Sequence, residues 1–297
     1  CLVGSEMCIR DSQKSADLRK HVNTLLERNQ KKYSLQMKQL KDSEKREKYK
    51  VYGELINAFG YGLTPDDKFL EAANYYDDNK IIKIPIDNTK TPAENAQKYF
   101  RDYKKKQTAH AMLQKLLVEG EAEIEYLRTV LYEVESAPGE MALNEIRAEL
   151  KSQGYLKYYK QRDRKQKPAD FLRYTSSDGF EILVGRNNLQ NDKLTLHTAR
   201  GKDLWFHVQK APGSHVVVMS HGEDIPDTTK QEAAELAVIY SSTYKAGTGA
   251  KVAVDTTEVK NIWKANGAKP GMVLYEVYTT VYVTPREDLA ERLKQKK

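Results

Sequence analysis

The sequence has almost no cysteine and no long apolar run. Its two cysteines, Cys1 and Cys8, both lie in the first twelve residues, so the remaining chain can form neither a disulfide nor a cysteine-based zinc site. Chains without disulfides suit a reducing compartment, and we expect the protein to be cytoplasmic. No run of about 18 apolar residues is present, which predicts that no helix crosses a membrane. The opening residues also lack the pattern of a signal peptide.

The first twelve residues differ from the rest of the chain. Residues 1–12 do not begin with Met, and they hold both cysteines. They resemble the peptide that results when sequencing-adapter DNA is translated at the end of an assembled read. We therefore expect them to be non-native, leave them out of fold prediction, and expect the protein to be truncated at its N-terminus.

The chain carries an excess of positive charge. It has 49 lysines and arginines against 42 acids, which gives a formal net charge of +7. This balance suits an anionic partner without identifying it. Charged residues make up 31% of the chain, more than in an average globular protein, and this favours a long solvated helical part.

The first half of the chain, residues 13–137, predicts a coiled-coil arm. Residues 13–58 favour one long helix, because they contain no Pro and no Gly before Gly53. Residues 92–135 place apolar side chains at alternating four- and three-residue steps, which is a heptad seam. The connector, residues 59–91, includes a short strand-like run and predicts a small capping element. We expect the two helices to pair within one chain as an antiparallel hairpin, with a parallel coiled coil between two chains as the alternative.

The second half predicts a compact domain. Residues 138–169 comprise a short amphipathic helix and a basic, tyrosine-rich linker that either stacks on bases or is simply solvated. Residues 170–286 alternate short β-rich segments with an alanine-rich helix, a pattern typical of a mixed domain. Residues 287–297 then form a charged C-terminal tail. The predicted fold class is therefore α+β, with a long antiparallel helical coiled-coil hairpin followed by a compact α+β domain.

Polar and aromatic residues gather in three segments of that domain. Residues 185–192 combine amides with a guanidinium, residues 203–218 place a Trp and two His around a Pro-Gly turn, and residues 259–271 set a second Trp beside lysines. Such groups contact phosphates, sugars and base edges, so the three segments favour RNA binding. The predicted contacts are Arg186, Asn187, Asn188 and Asn191, with Trp205, His207 and His215 shaping the surface and Lys260, Lys264 and Lys269 holding phosphates.

Other interpretations of these residues compete with RNA binding. The asparagines of residues 185–192 could simply maintain turn geometry. Four of the six histidines lie between residues 197 and 221, but no Cys and no suitably spaced carboxylate accompanies them, so we predict no metal site. Ser214 and His215 are adjacent on an extended strand and point to opposite faces, which disfavours a hydrolase that also uses Asp203. We therefore predict no catalytic residues, no cofactor and no enzyme activity.

Several segments resemble segments of the NFACT family and occur in the same order along the chain. Those similar to its C-terminal RNA-binding domain, NFACT-R, are GRNNLQND (185–192), DLWFH (203–207), PGSHVVV (212–218), AAELAVIYSS (233–242) and KNIWKANGAKPG (260–271). Those similar to its middle coiled-coil domain are YGELINA (52–58), NYYD (74–77) and PAENAQKYFRDYKK (92–105). The resemblance covers residues 13 to about 286, without the family's N-terminal NFACT-N domain and helix-hairpin-helix domain.

The resemblance implies the C-terminal part of a ribosome quality-control factor. In that family the whole protein binds a large ribosomal subunit that carries peptidyl-tRNA, and it brings in alanyl-tRNA. The stalled chain then receives a template-free alanine tail. The Asp-Arg pair needed for tailing lies outside this chain, so we expect surfaces that contact rRNA and tRNA without full tailing activity. Some family members are labelled fibronectin-binding proteins, which leaves a fibronectin-binding surface adhesin as the alternative.

Overall fold

The structure, a computed structural model, describes residues 2–157, 169–245, 249 and 251–294. It combines long helices with antiparallel strands, which confirms the predicted α+β class. No helix within these described ranges is long and apolar enough to cross a membrane. The helices are α1 (Leu2–Glu44), α2 (Glu47–Phe59), α3 (Pro92–Ser136), α4 (Glu140–Ser152), α5 (Asn188–Asp192), α6 (Asp227–Ile239), α7 (Ser242–Lys245) and α8 (Leu289–Leu293). The strands are β1 (Phe69–Asn74), β2 (Lys80–Pro85), β3 (Leu172–Thr175), β4 (Glu181–Val184), β5 (Leu204–Val208), β6 (Val216–Val218), β7 (Val252–Glu258), β8 (Ile262–Trp263), β9 (Leu274–Tyr275) and β10 (Thr279–Val283).

Residues 28–122 form one compact unit, in which α3 runs antiparallel to α1 and α2. Lys106 of α3 pairs with Asp42 of α1, and further along the pair the ring of Phe100 packs against Gly53 of α2. A Cβ atom on Gly53 would lie 2.9 Å from that ring, so the close approach requires glycine. The sequence numbers rise along one helix as they fall along the other, which confirms the predicted hairpin.

The first helix is interrupted, although the sequence predicts a single helix over residues 13–58. Lys45 and Arg46 form a turn in which their backbone N–H groups donate to carbonyls three residues back, Asp42 at 3.3 Å and Ser43 at 3.2 Å. The hydroxyl of Ser43 also donates to the carbonyl of Leu40 at 2.6 Å. A serine side chain that bonds to its own helix competes with the regular ladder and favours a break there. Helix α1 also includes residues 2–12, which we expect to be non-native.

The connector between α2 and α3 carries an antiparallel hairpin made of β1 and β2. Asp78 and Asn79 adopt positive φ angles of 46° and 56° at its turn, a conformation that Asn and Asp tolerate better than most residues. The apolar side chains of Leu70 and Ile84 pack on Leu55 of α2. The hairpin lies within residues 59–91, where the sequence predicts a small capping element.

The remaining residues form a second unit built around a six-stranded antiparallel sheet, ordered β10-β7-β5-β6-β4-β3. Strands alternate their side chains between two faces: Phe206 of β5 belongs to the core under α6 and α8, and Trp205 belongs to the core on the opposite face. Leu194 of the π-helical segment Lys193–Thr198 contributes to this second core. In the same unit, apolar side chains of α1, α3 and α4 form a separate helical core that includes Leu18, Val22, Tyr126, Leu127, Val130, Val134, Leu143, Ile146 and Leu150.

The charged tail predicted at residues 287–297 is not separate from the domain, because α8 buries Leu289 and Leu293 in the core of the sheet. The guanidinium Nε of Arg286 also donates to the buried carboxylate of Glu235 at 2.9 Å, which holds the chain just before α8 against α6. Most of the predicted basic linker, residues 158–168, lies outside the described residues.

Because Leu289 is fully buried, Leu289→Ala should lower the free energy of unfolding of this unit by about 2 to 5 kcal/mol. Urea denaturation followed by tryptophan fluorescence measures it, since Trp205 and Trp263 both lie in this unit. Arg292→Ala is the matched control: Arg292 is exposed and pairs with Asp288 only at 3.8 Å, so its loss should cost less than about 1 kcal/mol. Equal effects of the two substitutions would contradict the packing of α8.

Candidate nucleic-acid interface

The asparagine-rich segment at α5 is buried, and its amides are hydrogen-bonded inside the protein. Asn187 caps α5, with its Oδ1 accepting from the backbone N–H of Gln190 at 2.9 Å. Its Nδ2 donates to Glu145 Oε2 of α4 at 2.7 Å. Asn191 Oδ1 accepts from the backbone N–H of His215 at 3.0 Å. Through these hydrogen bonds, the segment connects the end of β4 to α4 and to the start of β6.

Asn188 makes the deepest of these contacts, and two glycines accommodate the segment. Its Nδ2 donates to Thr129 Oγ1 at 3.2 Å and to Glu149 Oε1 at 3.3 Å. A Cβ atom on Gly271, whose φ is 75°, would lie 2.2 Å from Asn188 Oδ1. A Cβ atom on Gly185 would lie 2.1 Å from Asn191 Oδ1. Both glycines are required because the asparagine side chains occupy the space beside them.

Trp205, His207 and His215 form a ring cluster on one face of the sheet. The indole of Trp205 stacks on His207 with ring centroids 5.7 Å apart and meets the edge of His215 at 5.2 Å. His215 Nδ1 lies 2.7 Å from Thr195 Oγ1. Burial lowers the pKa of both histidines, and the neighbouring His207 lowers the pKa of His215 further. Both imidazoles are therefore neutral at physiological pH and add no positive charge to a phosphate site.

The predicted lysines differ in their environment. Lys264 pairs with Asp192, and Lys269 lies 3.6 Å from Glu123 Oε2 and 4.8 Å from the ring centroid of Tyr155. Their ammonium groups are thus neutralised by acids of the same unit. Lys260 also pairs with an acid, Glu258, but it exposes 58% of its side chain.

The ten residues predicted for the RNA-binding surface differ in their exposure. Direct contact with RNA requires exposure, and only Arg186 and Lys260 are exposed. His207 is half-buried, while the side chains buried in this conformation are Asn187, Asn188, Asn191, Trp205 and His215. These six side chains and the two paired lysines hold the fold together around the junction of α4, α5 and β6. Contact with RNA by Arg186 and Lys260 stays a prediction.

The structure brings together a set of cations that the sequence pattern does not reveal. Arg200 and Lys202 flank Gly201 in the turn before β5, and the backbone N–H of Lys260 donates to the carbonyl of Gly201 at 3.2 Å. The carboxylate of Asp203 stabilises this turn by accepting from the backbone N–H of Arg200 at 2.8 Å. We call the three exposed cations, Arg200, Lys202 and Lys260, the basic turn. Sequence reasoning missed it because Lys260 is distant from the other two along the chain.

Two buried carboxyl groups lie where α3 and α4 meet the sheet domain. Tyr126 OH donates to Glu149 Oε1 at 2.7 Å, yet burial raises the pKa of Glu149 from its ordinary 4.5 to about 6. Burial and the nearby Glu149 also raise the pKa of Glu133. Within the described part of the chain, no cluster of three or more His, Cys, Asp or Glu residues could hold a metal ion.

The raised pKa of Glu149 makes stability depend on pH. The folded state binds this proton more tightly than the unfolded chain, so the stabilisation is complete below about pH 4.5 and is lost as pH rises through about 6. The difference corresponds to roughly 2 kcal/mol. Glu149→Gln should therefore reduce, by up to that amount, the fall in unfolding free energy between pH 5 and pH 8.

Urea denaturation of this unit at a series of pH values measures the effect. Glu135→Gln is the control, because Glu135 is exposed on α3 and its substitution makes the same change in charge. An unchanged pH dependence in Glu149→Gln would contradict the role assigned to this carboxyl group.

Comparison with known proteins places this architecture in a family. Residues 8–169 match the sequence family described as NFACT N-terminal and middle domains, and residues 170–276 match the NFACT protein RNA binding domain. Proteins named Rqc2 homolog RqcH from Bacillus subtilis and from Streptococcus suis are each 39% identical over 96% of this chain and 50% of their own length. The chain thus spans about half the length of the curated relatives it matches.

A solved structure is also similar over its whole length. It is the C-terminal part of a protein named fibronectin/fibrinogen-binding protein from Streptococcus suis, and it is 35% identical with a TM-score of 0.75. The similarity covers 96% of this chain and 99% of that one. With both of its halves matched in order, the chain belongs to the NFACT family.

Proposed function

We propose that this chain is the RNA-contacting C-terminal part of a ribosome quality-control factor. In this proposal it binds the large ribosomal subunit and tRNA in the cytoplasm, and it supports template-free alanine tailing of stalled nascent chains. Its NFACT-R domain and its relatives named RqcH support the general assignment. The chain would contribute contact surfaces and no catalytic residue of its own.

The observation that carries the proposal is the geometry of the basic turn. Backbone hydrogen bonds join the Arg200–Asp203 turn to Val259 and Lys260, so the backbones that carry three exposed cations lie side by side. Lysine ammonium groups act as point charges toward phosphates, and the guanidinium of Arg200 can make a bidentate contact.

Fibronectin binding remains the alternative function. The observation that favours it is the name of the structural relative, a fibronectin/fibrinogen-binding protein. The two functions differ in what they require of the basic turn. RNA binding by phosphate contacts depends steeply on salt and on these cations, whereas a protein ligand need not release counterions in that way.

The test is binding of the chain to purified large ribosomal subunits and to tRNA across a salt series. Combined substitution of Arg200, Lys202 and Lys260 by Ala should weaken both interactions. It should also make the slope of log affinity against log salt shallower by roughly 2 to 3, because up to three phosphate contacts are lost. Arg186→Ala, tested separately, should weaken binding by a smaller amount.

Lys230→Ala is the matched control for this experiment. Lys230 lies on α6, on the opposite face of the sheet, and pairs with Asp227 at 2.8 Å, so its removal should leave both affinity and salt slope unchanged. If the triple variant binds RNA as the unmodified chain does, the basic turn is not the contact surface. Absence of RNA binding at low salt together with saturable fibronectin binding would favour the alternative.

A further inference from the structure

Strands β8 and β9 form a short hairpin that presents an aromatic ring to solvent. Ile262 pairs with Tyr275, and Trp263 pairs with Leu274 across the hairpin. Ile262 and Tyr275 pack on the core around Trp205. Because successive residues of a strand point to opposite faces, Trp263 and Leu274 face away from that core, and they are 42% and 50% exposed. The hairpin therefore carries an exposed indole on its outer face.

A second exposed ring, that of Tyr278, lies beside the hairpin. It meets the edge of the Tyr275 ring with centroids 5.3 Å apart, and Tyr278 is 51% exposed. The turn before it is held in place, because the hydroxyl of Thr257 donates to the carbonyls of Glu276 at 3.2 Å and Val277 at 3.0 Å. Both exposed rings are thus carried by backbone that is hydrogen-bonded to its surroundings.

The two rings lie next to the basic turn. The backbone N–H of Glu276 donates to the carbonyl of Asn261 at 3.2 Å, and Lys260 of the basic turn directly precedes Asn261. Trp263 follows Asn261 by two residues, and Tyr278 follows Glu276 by two residues. Two residues of extended chain span at most about 7 Å. Lys260, Trp263 and Tyr278 are therefore all within reach of one strand of a few nucleotides.

Charge is distributed unevenly over this surface. The basic turn supplies three exposed cations. Near the rings, the ammonium groups of Lys264 and Lys269 are neutralised by acids of the same unit, and the acid Glu276 is exposed. Phosphates are therefore favoured at the basic turn, whereas the rings suit an uncharged, planar group. This arrangement is complementary to a strand that carries phosphates along one side and bases along the other.

We propose that the basic turn and the rings of Trp263 and Tyr278 together bind a single strand of RNA, with its phosphates at the basic turn and its unpaired bases stacked on the two rings. Every base has a π-face, so such stacking tolerates many sequences. In a double helix the base faces are covered by neighbouring base pairs, so a duplex can use only the cations. This proposal rests on the proposed function and specifies the kind of RNA that the basic turn contacts.

The experiment compares three fluorescein-labelled probes, whose binding to the complete chain is followed by fluorescence anisotropy. They are oligouridylate of about ten nucleotides, the same strand paired with oligoadenylate, and an oligomer of equal length with stable abasic sugars in place of the nucleosides. The abasic oligomer keeps the phosphates and lacks the bases. At about 200 mM salt, where phosphate contacts are weakened, we expect oligouridylate to bind roughly tenfold more tightly than the abasic oligomer and more tightly than the duplex.

Variants of the two rings separate stacking from charge. Trp263→Ala and Tyr278→Ala should each lower the affinity for oligouridylate about tenfold, and they should leave its salt slope unchanged because no phosphate contact is lost. Trp263→Phe and Tyr278→Phe keep a ring and should retain most of the affinity. Trp263→Leu is apolar but has no π-face, so it should bind as weakly as Trp263→Ala. Full affinity in Trp263→Leu would instead indicate an apolar contact of the kind that a protein partner makes, and would overturn stacking.

Tyr244→Ala is the matched control, because Tyr244 is exposed on α7, which contacts α6 on the opposite face of the sheet. It should leave the affinity for all three probes unchanged. Tryptophan fluorescence gives an independent readout. Trp205 is buried and Trp263 is exposed, so a base stacked on Trp263 should quench the emission of that residue. In Trp263→Phe the quenching should disappear while most of the binding remains.

Circular dichroism and urea denaturation check that each variant is folded. The proposal is overturned if the abasic oligomer or the duplex binds as tightly as oligouridylate, or if both alanine variants bind oligouridylate as the unmodified chain does. Unchanged tryptophan emission at saturation overturns it as well. Should an alanine variant fail to fold, the comparison of the probes and the quenching still decide the question.

Failure of this proposal differs from failure of the proposed function. If large ribosomal subunits and tRNA bind but the chain shows no preference for unpaired bases, only the stacking site is overturned. If oligouridylate binds by stacking while neither the subunits nor tRNA bind, only the proposed function is overturned. Absence of binding to every RNA overturns both.

Discussion

Glu133 and Glu149 are carboxyl groups held inside the junction between α3, α4 and the NFACT-R sheet, and their burial constrains the residues around them. A buried carboxyl group is tolerated when it is protonated or supplied with hydrogen-bond donors. Tyr126 OH and Asn188 Nδ2 donate to Glu149, and the backbone N–H of Asn188 donates to Glu133. Asn188 in turn fits only because Gly271 has no side chain. Asn188 thus connects the acids of α3 and α4 to the turn at Gly271, which lies far from Asn188 in the sequence.

This constraint changes the interpretation of the polar motifs in the domain. Amides and lysines are suited to reading phosphates and bases, but the same groups can satisfy buried acids. Asp192 accepts from the backbone N–H of Gly271 at 3.0 Å and pairs with Lys264. Asn191 holds the backbone of His215. The three motif segments therefore contact one another inside the domain, and their amides and paired lysines are engaged in contacts within the protein.

The sequence predicts the positions of the helices and strands better than it predicts which residues form the candidate site. Heptad spacing and alternating apolar residues depend on local periodicity, and they locate the helical hairpin and most strands. The break at Lys45 and Arg46 has no Pro or Gly to signal it, and α8 is too short and charged to be distinguished from a tail by pattern alone. The burial of Asn187 depends on its hydrogen bond to Glu145, which joins two segments that are distant in the sequence. The basic turn could not be predicted from the sequence for the same reason, because Lys260 is joined to it by a backbone hydrogen bond between distant segments.

The antiparallel order of the sheet separates its two candidate binding regions. Strands β4 and β5 both pair antiparallel with β6, so they run in the same direction. Arg186 lies just beyond Gly185, where β4 ends and β6 begins, whereas the basic turn lies where β5 begins. Asp203, in that turn, accepts from the backbone N–H of Ser220 at 2.8 Å, just beyond the other end of β6. Arg186 and the basic turn thus lie at opposite ends of one sheet, so an RNA that contacts both would have to extend along its strands.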